Sequence, residues 1–207
     1  EFRSIRISFL NRRDVISVRD AADAPRAQSV VAAAFASRPG GGTPLLSRWS
    51  ADFARADQEH PAEPTIHYFF TDGEPTDATP ERVTRMVSER VDPALHPCTL
   101  LSCTDNTAEV EWMKTLDEMR RPGGGECFIA EIDDFATERE EVRAGQGPYF
   151  ISFTFGMWVV CSLVACINPA DLDRMDERTP FARGTLEALM GRTLAEEEWR
   201  LYLSHFR

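Results

Sequence analysis

Oxygen donors stand at four places in this chain where a fold could gather them. Residues 69–77, FFTDGEPTD, run two aromatics straight into Asp72-Gly73. Asp105 follows the apolar run CTLLSC, and the pair Asp133-Asp134 follows CFIAEI. Thr43 comes after three glycines and immediately before a helical pattern. Glycine lets backbone approach an ion or ligand closely, which marks Gly42 and Gly73 as accessories to Thr43 and Asp72. A hydroxyl and carboxylates are hard oxygen donors of the kind that Mg2+ accepts while keeping some of its waters. The candidate metal residues are therefore Thr43 and Asp72, with Gly42, Gly73, Asp105 and Asp133 beside them.

Each residue also has a purely structural reading. Thr43-Pro44 is an ordinary cap and first-turn pair for a helix, and Asp-Gly is a common turn pair. Asp77 reads as shaping the turn before Thr79, and Asp133-Asp134 as a solvated loop or helix cap. Nucleophilic chemistry finds little support. The four histidines stand beside prolines or in strand and tail contexts, His67 reads as a half-buried strand residue, and no G-x-S-x-G elbow is present. RPGGGTP lacks the Lys of a phosphate loop and follows a helix instead of a strand.

Elements that could position these residues alternate along the chain. SIRISFLN (4–11) and DVISV (14–18) read as a hairpin, by alternation of apolar and polar residues. Residues 25–37 and 44–57 read as helices, the second with Leu45, Leu46, Trp49 and Phe53 on one face. TIHYFF (65–70), CTLLSC (98–103) and CFIAEI (127–132) read as strands. Helices are expected over 80–91 behind Thr79-Pro80, over 109–119, over 137–143 and over about 155–167. Thr193 with Glu196 resembles a capping box opening a last helix. The alternation predicts an α/β fold with a doubly wound, mostly parallel open sheet over 1–168 and a small C-terminal helical extension over 169–207.

The totals narrow the function classes. The chain has 207 residues and a formal net charge of -11, with 43% hydrophobic and 28% charged residues. An acidic chain without a basic cluster argues against nucleic acid and leaves room for a divalent cation or a protein partner. Five cysteines, an odd count with no C-x-x-C pair, point to free thiols and a cytoplasmic or other intracellular location. No charge occurs between Ala144 and Ala170. Ser152, Thr154 and Ser162 dilute that stretch and no Lys or Arg follows it until Arg174, so a buried helix is favoured over a membrane span.

Taken together, GGTPL at 41–45, IHYFFTDGEPTD at 66–77 and the strand–helix order make the chain resemble a von Willebrand factor A-type domain. The resemblance covers about residues 4–172. It implies a Rossmann-like open sheet with a metal-ion-dependent adhesion site at its carboxyl edge, where Thr43 matches the family's second-loop Thr and Asp72 its strand-end Asp. It also implies Mg2+ and a protein partner, without catalysis. The family's Asp-x-Ser-x-Ser loop, with its first, central strand and following helix, has no counterpart here, and the hairpin corresponds to the second and third strands. The expectation is an N-terminally truncated domain with a partial, weak metal site. A metal-independent scaffold is the alternative. A Mg-dependent hydrolase or phosphotransferase using Asp72 is disfavoured, because position 74 is a Glu within a turn and no Lys is suitably placed.

Overall fold

The computed structural model describes residues 3–13, 15–37, 40–104, 106–117, 127–146, 153–167, 169–176 and 179–206. Strands β1 (Ile5–Ser8) and β2 (Val15–Val18) pair antiparallel with Ile5 opposite Val18. A single 3-10 turn follows over Ala21–Asp23, capped by the Asp20 carboxylate on the Ala22 N–H, and leads into α1 (Ala24–Phe35). Next come α2 (Leu45–Glu59), β3 (His67–Thr71), α3 (Pro80–Ser88), β4 (Cys98–Ser102), α4 (Thr107–Asp117), β5 (Ile129–Ile132) and α5 (Phe135–Gln146). Helices α6 (Phe155–Val164), α7 (Pro169–Asp176), α8 (Arg183–Met190) and α9 (Glu196–Ser204) complete the described chain.

Strands β3, β4 and β5 form a parallel sheet in that order, with β4 in the middle and buried along its whole length. Side chains alternate across a strand, so each strand serves two cores. Phe69, Cys98, Leu100 and Ile129 face a cluster with Leu45, Trp49 and Phe53 of α2, Val83 and Val87 of α3, and Val110, Met113 and Leu116 of α4. Trp49 stacks on Phe69 with ring centroids 4.0 Å apart. Ala130 and Ile132 face the other way, onto Ala165 and Cys166 at the end of α6. A third cluster joins α5, α6 and the C-terminal helices through Val142, Cys161, Met175 and Phe181, with Leu186 and Tyr202 packed against it.

This is an α/β architecture, mostly helical, whose parallel sheet is smaller than the sequence pattern suggested. The β1–β2 hairpin stands as its own two-stranded sheet instead of extending the parallel one. Period-2 alternation identifies a strand but carries no information about which edge it joins. Helix α3 stops at Ser88, three residues short of the expected end, because Arg90 turns inward. Its guanidinium donates to the carbonyls of Val87, His96, Cys127 and Phe128.

Among the described residues of the apolar stretch before position 168, α6 spans ten residues, started by Thr154 accepting from the Met157 N–H. Among the described residues no helix is long and apolar enough to cross a membrane. Helix α9 begins at Glu196 with Ala195 at its cap position, so the expected Thr193–Glu196 box does not form. Instead Glu198 reaches back to the Ala195 N–H at 2.9 Å. The glycine turn at 123–125 and the boundary at 168 lie outside the described residues.

Candidate functional site

The carboxyl ends of β3 and β4 lie side by side, so whatever follows them shares one rim. Thr71 closes β3 and Ser102 closes β4, and the Cys103 N–H bonds the Thr71 carbonyl at 2.9 Å. Asp72 and Cys103 are thus adjacent, and both are exposed. Burial of the sulfur, and then the Asp72 charge, push the Cys103 thiol up from its ordinary value, which keeps it protonated at neutral pH.

The glycine loop joins this rim through the turn after Asp72. The Thr43 N–H donates to the Thr76 hydroxyl at 2.7 Å, and the Thr76 N–H donates back to the Thr43 carbonyl at 2.9 Å. Gly42 is required at this crossing, because a Cβ there would collide with the Thr76 hydroxyl. Gly41 adopts φ +97°, which a side chain would strain. Asn11, past β1, secures the loop from the other side by donating to the Gly42 carbonyl at 2.5 Å.

Asp77 has a different role from the turn-shaping one expected. Its two carboxylate oxygens accept from the N–H groups of Leu46 at 3.1 Å and Ser47 at 2.8 Å, so it caps α2 from 30 residues away. Partial burial pushes its carboxyl up, but the hydrogen bonds from Ser47 and Leu46 outweigh that and hold it below the ordinary range. Thr43 is not the cap. That position falls to Pro44, which makes no side-chain cap bond, and α2 relies on Asp77. Asp77→Ala is expected to cost about 1 kcal/mol, the usual worth of a lost N-cap. Urea unfolding measures it, and a midpoint equal to wild type removes the capping role.

Helix α4 brings a carboxylate to the same rim. Glu109 accepts from the Asn106 side chain at 2.8 Å, and its other oxygen lies 3.8 Å from where a Gly73 Cβ would stand. Glu109 and Cys103 are the rim residues that sequence reasoning missed. Asn106-x-x-Glu109 is a legible capping pattern, whereas nothing local marks Cys103 as a neighbour of Asp72.

The remaining candidates fall elsewhere. Asp105 lies outside the described residues. Asp133 ends β5, two strands from β3 and so about 10 Å away at ordinary strand spacing. It is buried, contrary to the solvated loop expected, and its carboxylate is held by Lys114 at 3.2 Å while its carbonyl accepts from the Trp158 indole at 3.1 Å. Asp134 does cap a helix: it accepts from the Ala136 N–H and the Thr137 hydroxyl at the start of α5. The Thr137 hydroxyl is the main reason its carboxyl stays below the ordinary range.

The rim therefore offers Asp72 after β3, Glu109 in the first turn of α4 and the Thr43 loop before α2. Among the described residues, no group of three or more His, Cys, Asp or Glu is close enough to hold a metal ion. A closed cage is not formed among the described residues, and one or two protein oxygens suffice only for a cation that keeps most of its waters. Comparison of the chain with protein-family models, curated proteins and solved structures gave no match.

Proposed function

We propose that this chain is a protein-binding module of the von Willebrand factor A type, with a partial metal-ion-dependent adhesion site at Thr43 and Asp72. The observation that carries the reading is the reciprocal Thr43–Thr76 pairing. It holds the glycine loop against the turn that Asp72 begins, at the carboxyl edge of a parallel sheet. Ligands of open α/β sheets bind beyond that edge. In this reading a hydrated Mg2+ at the rim offers an open position to a carboxylate of the partner protein.

Isothermal calorimetry tests the metal part. Wild type is expected to bind Mg2+ weakly, with a Kd on the order of millimolar for so few protein oxygens, and Asp72→Ala to abolish the heat. Indistinguishable titrations would sink the metal claim.

A second reading, a metal-independent scaffold, has its own observation. Phe70 on β3 is 62% exposed, and Val160, Leu163, Val164 and Ile167 form an exposed aliphatic stripe on and just past α6. Surface of this kind recognises partners by packing alone. Affinity capture with and without a chelator separates the readings: loss of the captured partner on chelation belongs to the first, retention to the second.

A further inference from the structure

Beneath α2, away from the rim, a chain of three polar side chains runs from solvent into the core. Asp57, in the last turns of α2, is about half exposed, while His96 is 3% exposed at its side chain and His67 of β3 is buried. His96 Nε2 lies 2.8 Å from Asp57 Oδ1, and His96 Nδ1 lies 3.2 Å from His67 Nε2. The ring of Phe53, also on α2, stands edge-on to both imidazoles.

The proton positions in this chain follow from the partners. An ionised carboxylate only accepts, so His96 Nε2 carries a proton toward Asp57. Neutral His96 then has a bare Nδ1, and His67 must donate to it through Nε2–H. One added proton can be absorbed. His96 becomes a double donor paired with Asp57, and His67 shifts to its Nδ1–H tautomer so that Nε2 can accept. A second proton on the imidazoles cannot be absorbed, because two N–H groups would face each other at 3.2 Å.

We propose that the Asp57–His96–His67 chain is an acid-opened latch on α2, closed with no or one added proton and forced open by the second. The charged and titratable groups facing it are Asp57 from α2, the Arg90 guanidinium beyond α3, and Cys98 of β4, whose thiol bonds the His96 carbonyl. Burial, then His96, then Arg90 drive His67 down to about 3, against the opposing pull of Asp57. Because α2 begins at the glycine loop, opening also loosens the loop's hold on the rim. The proposal does not depend on any ion binding there.

Two measurements decide it. Hydrogen exchange of the α2 amides, with α3 amides as reference, locates the pH of opening in wild type, His67→Phe and Asp57→Asn. His67→Phe is expected to move that pH down by about one unit or more, and Asp57→Asn to move it up, since the one-proton state loses its counter-charge. An unchanged opening pH in His67→Phe overturns the latch. Should that variant fail to fold, imidazole 15N spectra of wild type decide instead. They are expected to show Nε2–H on both rings at neutral pH and Nδ1–H on His67 after the first proton. His67 keeping Nε2–H until α2 opens refutes the mechanism.

Discussion

Glu138→Gln is expected to abolish a loss of stability that the wild-type protein shows as pH rises from 6.5 to 8. Glu138 sits in the first turn of α5, 5% exposed. Burial, and then the facing carboxylates of Asp176, Glu141 and Asp133, raise it from 4.5 to about 8. The folded state therefore binds a proton that the unfolded state releases between pH 4.5 and 8, and stability falls as pH rises through that window. The slope is about 1.4 kcal/mol per pH unit for one proton. His67 works in the opposite sense, since its value drops from 6.5 to about 3 on folding. Its contribution is complete above pH 6.5 and is lost as pH falls toward 3. The two slopes cancel between 4.5 and 6.5, so wild type is nearly flat there and then loses about 2 kcal/mol up to pH 8. Glutamine keeps the shape without the ionisation, and its stability should stay level above 6.5. Urea titrations at stepped pH measure both curves, and parallel curves above pH 6.5 would remove Glu138 as the cause.

Arg90→Met is expected to destabilise the protein by about 3–5 kcal/mol, because it strands several buried carbonyls at once. The guanidinium is the common donor for the end of α3, the loop before β4 and the residues leading into β5. Its bonds run 2.6 Å to Val87, 2.9 Å to His96 and 3.3 Å to Phe128, with Cys127 as fourth partner. Phe128 lies at φ +52°, a left-handed conformation unusual for an aromatic residue, and its carbonyl is one of those Arg90 holds. Lysine offers three donors from a single point and cannot span a fork of this width, so Arg90→Lys should recover less than half of the loss. Full recovery by lysine would show that charge, and not the fork, matters at this position.

These cases show where sequence was informative. The runs TIHYFF, CTLLSC and CFIAEI are short, apolar and bounded by turn residues, and each marks one strand of the parallel sheet, β3 running one residue past its run to Thr71. The face of α2 was legible because Leu45, Trp49 and Phe53 recur at helical spacing, and all three are buried. Roles that depend on a partner far along the chain were not legible. Asp77 reads locally as a turn residue, and only folding brings it to the N-terminus of α2. Arg90 reads as the tail of an amphipathic helix, whereas its role is set by carbonyls up to 38 residues away. Asp133 ends a strand like Asp72, yet it is buried against Lys114 because α4 packs against β5. For Thr43 the pattern could not name Thr76, whose hydroxyl and N–H pair with the Thr43 backbone in the turn that Asp72 begins.

Of the five thiols, Cys98, Cys127, Cys161 and Cys166 are buried and Cys103 alone is exposed. The protein thereby carries a ready-made attachment point at its rim. A thiol-directed fluorophore added to the native state lands at a single position, beside Asp72, with no engineered cysteine. Its emission reports on the rim, while the appearance of further labelled thiols counts molecules whose core has come apart. One reagent thus separates a local event from a global one.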